Sequence, residues 1–496
     1  MVEFSVGVGD FGAPDSRVQR LNQKGVRADG QFVLYWMTSA RRSSWNFGLE
    51  RAVWWANRLK HPLVVLEAIR HDYPWSNDRH HAFVLDGMLS NARAFKHSNA
   101  TYGCFVASRE DSGAGLMEEL AESASIIVTD IFPCFFLPRM IRSVAKRVEV
   151  EVEAVDSNGI LPLSVSDREY TTAHSFRRFL QKVIPEYLTQ WPHPEPLSQL
   201  ECHGEPRKDF LSRLLNDPIQ SLESIRANLS ALPIDHTVGP GTLVGGAEQG
   251  LEHLKQFTSS LLPKYHENRN EVDEGGTSLM SPYLHYGHIS SHQIVHAILS
   301  LEKWSPDNIP PKSKGSRSGW WNISEGAEAF LDQVITWREL GFHFCHHRQE
   351  DYGDYQSLPS WALKTLDEHR GDKRPVIYSR EELEDGKTHD PIWNAAQRQL
   401  TETGLMHNYL RMLWGKKVLQ WSKEPEEALQ TLIHLNNKYA LDGRDPNSYS
   451  GIFWVFGRFD RAWGPEREIF GKTRYMTSES TRRKLSLSNY LDRFAG

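Results

Sequence analysis

The hydrophobic period of the chain changes partway along, and that change limits the folds open to it. Residues 30–36 (GQFVLYW) are an apolar burst after a turn, and Phe47, Leu49, Ala52, Val53 and Ala56 then recur at helical spacing. Residues 63–69 (LVVLEAI) form a short unbroken apolar run of the kind found in fully buried parallel strands. Residues 83–95 read as helix, 100–106 (ATYGCFV) as strand, 115–123 as helix and 125–129 (SIIVT) as strand. The alternation VEVEVEAVD at 148–156 closes the series. Strands alternating with helices predict an α/β domain with a doubly wound, Rossmann-like parallel sheet ending near residue 160. No GxGxxG opens its first helix, so a standard dinucleotide fingerprint is absent.

Residues 185–240 carry several prolines with polar spacers, including WPHPEP at 191–196, and predict a long connection. From residue 246 the pattern is helical: GAEQGLEHLKQFTSSLL, SSHQIVHAILSLEK, EGAEAFLDQVITWRELGFHFCHH, DPIWNAAQRQLTETG, MHNYLRMLWGKKVLQW and PEEALQTLIHLNNKYAL. The expected organisation is an α/β domain over 1–185, a linker over 186–245 and an all-α domain over 246–496.

A chain of 496 residues exceeds what one core serves, so two large domains are expected. No apolar run approaches the roughly 20 residues that span a bilayer, and residues 1–20 lack the features of a secretory signal. We expect no membrane association, a cytoplasmic location in a prokaryote or a nuclear one in a eukaryote, and a monomer. Cys104, Cys134, Cys202 and Cys345 have neither CxxC nor metal-ligand spacing and read as reduced, structural and unbridged. With a net charge of −6, any nucleic-acid binding needs a local basic patch. Sixteen tryptophans are too many to be core filler alone.

The stretch 435–476 is unusually polar, Gly-rich and aromatic. It crowds Asn436, Asp442, Arg444, Asp445 and Asn447 beside Trp454 and Trp463, which implies a large polar and aromatic ligand. Arg411 and Asp442 would each be costly to bury alone, so they are expected to pair, equally well as a plain interhelical salt bridge. In YHENRNEVDEGGTSLMSPYLHYG (265–287), Gly275-Gly276 followed by Thr277, Ser278 and Ser281 suits a phosphate at a helix start; an ordinary N-cap is an equal local reading. Trp414 and Trp421 lie seven residues apart, about 10.5 Å along one helix face. Spacing alone favours a packing role for them. Arg458, Arg461, Lys472, Arg474, Arg482, Arg483 and Lys484 form a candidate basic rim for DNA phosphates.

Together with THDPIWNAAQRQLTETGLMHNYLRMLWGKKVLQW (388–421), these motifs resemble class II cyclobutane pyrimidine dimer photolyases. The resemblance runs over about residues 17–490 and is strongest after residue 265. It implies an N-terminal photolyase domain, a helical FAD domain and light-driven repair of pyrimidine dimers in DNA by reduced FAD, with a deazaflavin or folate antenna, or none. By the same resemblance Tyr265, Thr277, Ser278, Leu279 and Ser281 line the FAD pyrophosphate and ribityl chain. The Arg411–Asp442 pair, with Arg444 and Asp445, belongs to the flavin site, and Asn436 faces the flavin N5 edge. Trp414, Trp393 and Trp421 become the proximal, central and solvent-nearest members of an electron relay. Trp337, Trp454 and Met412 hold the flipped dimer. One departure is Gln333, where many members carry Glu. Another is WVFGRFDRAWGPERE, one residue shorter before Asp460 and one longer at Pro465. A cryptochrome-like photoreceptor is the runner-up: Trp337, Trp454 and the lack of a long C-terminal extension oppose it, and Gln333 keeps it open. A generic flavoprotein oxidoreductase lacks a nicotinamide fingerprint.

Overall fold

Short, uninterrupted runs of β-branched and aromatic residues build a six-stranded sheet in the order β1-β6-β5-β2-β3-β4. The strands are β1 (Val18–Arg20), β2 (Phe32–Met37), β3 (Leu63–Ile69), β4 (Ala100–Val106), β5 (Ala124–Asp130) and β6 (Val152–Val155). The computed structural model describes residues 11–273 and 275–495. The first ten residues of the stretch read for a secretory signal therefore lie outside them, as does Glu274 of the candidate phosphate run.

Pleating divides β2 between two cores. Val33, Tyr35 and Met37 pack with Phe47, Leu49, Ala52 and Val53 of the helix Phe47–Leu59. Phe32, Leu34 and Trp36 pack on the other face with Leu116, Leu120, Ile141 and Val144 from the helices Leu116–Ser123 and Leu137–Arg147. Both faces are covered, which is why these strands read as continuous apolar runs rather than alternating ones. Five strands are parallel, as expected, but β1 joins β6 antiparallel, so the sheet is mixed. With three residues, only one half-buried, β1 carries too little apolar surface to show as a strand in sequence.

Contacts divide the described chain into two units. The sheet unit runs to Asp167 and adds Val183–Lys255 and Met280–Trp304; the helical unit comprises Arg168–Lys182, Gln256–Leu279 and the chain from Ser305 onward. This division does not follow the expected boundaries. Within 186–245, the helix Pro218–Ala227 buries Leu222 and packs on the helix Asp78–Phe95, and Leu214 joins the sheet core. Arg168–Lys182 joins the helical unit through Arg177, which donates to both carboxylate oxygens of Asp332 at 2.8 and 3.1 Å. Of the expected long helix over EGAEAFLDQVITWRELGFHFCHH, only the ends are regular α-helix. Glu325–Leu331 and Arg338–His347 flank a π-helical turn at Asp332–Trp337. Among the described residues no helix is long and apolar enough to cross a membrane.

Candidate functional site

Three consecutive helices of the helical unit carry six of the candidate residues, Trp393, Arg411, Met412, Trp414, Trp421 and Asn436. Pro391–Thr403 begins at Asp390, whose carboxylate accepts from the amides of Ile392 and Trp393, and ends at left-handed Gly404. Asn408–Trp421 and Pro425–Tyr439 follow. A fourth helix, Pro446–Val455, is capped by Asp445, which accepts from Asn447 N at 2.8 Å.

The three tryptophans expected to form a relay are brought together. Trp393 stacks nearly parallel to Trp414, with centroids 6.4 Å apart, and meets Trp421 edge-on at 5.6 Å. Their indoles are held by the fold. Trp393 Nε1 donates to Trp414 O at 3.0 Å, and Trp414 Nε1 donates to Gln397 Oε1 at 2.9 Å. Trp421, expected to be the member nearest solvent, is 1 % exposed. Tyr378 and His389, joined by a 2.6 Å hydrogen bond, cover it at ring distances of 5.4 and 5.3 Å. Helix spacing could not reveal this, because the cover comes from Tyr378 and His389, before the first of the three helices.

Arg411 and Asp442 do pair. Both terminal guanidinium nitrogens donate to one oxygen of Asp442 at 3.1 Å, in a half-buried setting. Asn436, buried at 2 % exposure, lies one turn before the 440–445 loop. Its Nδ2 reaches Asn437 at 3.3 Å, and its amide oxygen receives no donor from the described residues. Asn437, which sequence reasoning missed, organises the loop by accepting from Arg444 N at 2.8 Å and donating to Tyr449 at 3.1 Å. Gln397 and Asn437 are fully buried amides on otherwise apolar helix faces, and that is the signal that could have found them. Arg444 is buried with a positive φ, and Asp445 is buried as the cap beside it.

The phosphate run is only partly brought together. Thr277, Ser278 and Leu279 form an irregular segment of the helical unit, with Leu279 at φ 56°, while Ser281 lies in the short helix Met280–His285 of the sheet unit. Tyr265 is packed edge-on against Phe257 and Phe330, and burial pushes its phenol up to about 12.

Trp337 and Gln333 are half-buried at the π-turn, a backbone form found often at functional sites. The Gln333 amide makes no hydrogen bond to a described residue, whereas neighbouring Asp332 is held by Arg177. The helix after Trp337 packs on the helix carrying Trp454. Gly341 allows this, since a Cβ there would sit 3.0 Å from Pro446 O and Asn447 Oδ1. Met412 and Trp454 are half-buried.

The basic rim needs one correction. Arg458 is 1 % exposed, donates to Ser357 O and Glu169, and lies 4.4 Å over Phe344, so it belongs to the interior. Arg461, Lys472, Arg482, Arg483 and Lys484 are exposed. Arg474 is held by Asp460 at 2.8 Å and lies between Trp463 and Trp454, 4.0 and 5.5 Å from their rings. Trp463 Nε1 is buried without an acceptor, between Arg474 and Arg461.

Lys416 was not singled out in the sequence. It is fully buried, and burial pulls its ammonium down to about 7. An unfolded lysine titrates near 10.4, so above about pH 7 the unfolded chain binds the extra proton and folding stability gains with rising pH. We expect Lys416→Met to lose that gain. Thermal melts from pH 7.0 to 8.5 check it, and parallel curves for the two proteins would contradict it.

No protein-family profile matches the chain. It is 33 % identical over 484 residues to the deoxyribodipyrimidine photo-lyase of Methanothermobacter thermautotrophicus, covering 97 % of this chain and 98 % of that one. It is 31 % identical over 475 residues to the enzyme of that name from Arabidopsis thaliana, covering 92 % and 88 %. A bacterial class III photolyase from Agrobacterium tumefaciens shares the fold, with a TM-score of 0.64, 16 % identity and coverage of 94 % and 86 %. An archaeal photolyase from Sulfolobus tokodaii, solved with two FAD molecules, does so at 0.63 and 15 %, covering 94 % and 90 %. The sheet followed by helices and the near full-length identity agree, and the chain belongs to the deoxyribodipyrimidine photo-lyase family.

Proposed function

We propose that the chain is a class II photolyase that binds FAD in its helical unit and repairs cyclobutane pyrimidine dimers in DNA under light. The carrying observation is the chain of rings Trp414, Trp393, Trp421, which leads from the helix of Arg411 to Tyr378 and His389. Such a chain serves no packing need that aliphatic residues would not meet, and it suits a redox cofactor. The residues fit FAD: the amide oxygen of Asn436 receives no donor from the described residues, and Arg411 with Asp442 offers charge of both signs. Tyr265, Thr277, Ser278 and Leu279 would hold the phosphate side, while Arg444 and Asp445 shape the ring side. Reduced FAD, when bound, supplies the light-driven electron that opens the cyclobutane ring and takes it back. The protein's own part is to orient, to exclude water and to hold the lesion.

Trp337, Met412 and Trp454 are assigned to the flipped dimer, and Gln333 to one of its carbonyls. Asp332 is held by Arg177, so Gln333 carries the polar contact. A neutral amide donates without first binding a proton, so native repair should change little with pH on this residue's account. Gln333→Glu should still repair, with activity falling as pH rises through the carboxyl's titration. The test is a light-dependent repair assay on a dimer-containing oligonucleotide with the FAD-reconstituted protein, native and Gln333→Glu. No repair by the native chain, with repair gained by the variant, would transfer the assignment to a cryptochrome-like photoreceptor.

A further inference from the structure

We propose that Lys416 is a positioning residue that fixes the Trp454 platform to the 463–473 hairpin and thereby sets discrimination between damaged and undamaged DNA. The inference rests on the assignment of Trp454 to the lesion.

Lys416 has no exposed surface, and no carboxylate lies within ion-pair distance of it among the described residues. Its Nζ donates to Val455 O at 2.5 Å and to Thr473 Oγ1 at 3.3 Å. Val455 is the last residue of the helix carrying Trp454, where carbonyls lack helical partners and a cation is favoured. Thr473 closes the other side. Its hydroxyl donates to Phe470 O at 2.9 Å and so presents a lone pair to Lys416. The hairpin is itself tied, since Trp463 N donates to Lys472 O at 2.8 Å and Arg467 pairs with Gly471. The ammonium lies 5.7 Å from the Trp454 ring and 5.9 Å from Phe470. One buried group therefore fixes the end of the platform helix and the base of the hairpin that carries Trp463. The nearest charges, Asp460 and Arg474, neutralise each other as an ion pair.

A buried lysine without a carboxylate is a costly way to fill space, and methionine would pack as well. Its presence fits a need for donors at that point. Gly415 makes room for it, because a Cβ there would stand 2.5 Å from Val455 Cγ2. Two residues of helix turn Lys416 about 200° away from Trp414, so one helix presents its relay residue and its tether on opposite faces. The two roles can therefore be separated by experiment.

Lys416→Met, Thr473→Val and Trp454→Ala are compared with the native protein in the FAD-loaded state. The readouts are affinity for dimer-containing and undamaged duplex, photoreduction of FAD, and single-turnover repair at saturating DNA. For Lys416→Met we expect the ratio of lesion to undamaged affinity to fall roughly five- to tenfold, the scale of one lost charged hydrogen bond acting through its neighbour. Undamaged binding, photoreduction and repair of already bound dimer should be unchanged. Thr473→Val, which also serves if Lys416→Met does not fold, should lose roughly two- to threefold. An unchanged ratio in either variant, or loss of photoreduction together with discrimination in Lys416→Met, would overturn the proposal. If Trp454→Ala itself keeps full discrimination, the platform assignment fails instead.

Discussion

Photoreduction of oxidised FAD is expected to fall to background in Trp414→Phe, the largest effect anticipated here. The neighbouring ring, Trp393, stands 6.4 Å beyond Trp414, and its indole N–H is committed to Trp414 O, so it cannot move inward to replace the missing ring. Phenylalanine keeps much of the packing volume but is far harder to oxidise, and it gives up the Gln397 hydrogen bond. That leaves a buried amide oxygen without its donor, a cost of about 1–3 kcal/mol, so the melting temperature must be followed alongside. Chemically reduced Trp414→Phe should still repair, because in the proposed function the relay serves activation and not ring opening. Flavin absorbance under blue light with an external reductant decides the matter. Native-rate photoreduction in a folded variant would return all three tryptophans to packing.

Trp454→Ala should lose affinity for dimer-containing DNA with little change for undamaged duplex. Stacking a base on an aromatic platform is worth about 1–3 kcal/mol, which is roughly 5- to 150-fold in affinity, and an undamaged duplex places no base there. Arg474 lies 5.5 Å over the same ring, so part of the loss will come from a guanidinium released from its stack. Fluorescence anisotropy with matched damaged and undamaged oligonucleotides gives the ratio. An equal loss on both would assign Trp454 to the fold.

The sheet was readable where strands are buried on both faces and therefore unmixed in character. LVVLEAI and ATYGCFV coincide with β3 and β4 to the residue. The helix Pro391–Thr403 was readable because Asp390, Pro391 and Gly404 mark its ends chemically. Features that depend on distant parts of the chain were not. The helix Leu137–Arg147 follows FPCFF and carries a proline in its first turn, and its apolar face shows only against Leu116–Ser123. A π-turn adds a residue without changing the apolar period enough to announce itself, so Gln333 and Trp337 read as ordinary helix. In the candidate site, the resemblance named residues but could not give their burial. Trp421 needed Tyr378 and His389 to cover it, and Arg458 needed Glu169, almost three hundred residues earlier, to draw it inside. Lys416 escaped notice because, in sequence, a lysine among WGKKV reads as a solvated charge.

The ion pair between Arg177 and Asp332 bears on how the gene can be divided. A fragment beginning at residue 246 would contain every residue assigned to FAD and to the lesion, yet it would lack Arg168–Lys182, the part of the helical unit that precedes much of the sheet unit's own chain. Asp332 would then stand next to Gln333 as an unneutralised carboxylate, at the point proposed to receive a DNA base. The helical half is separable on paper by sequence position but not by chemistry, and a natural exchange of that half between relatives would have to carry the short upstream segment with it.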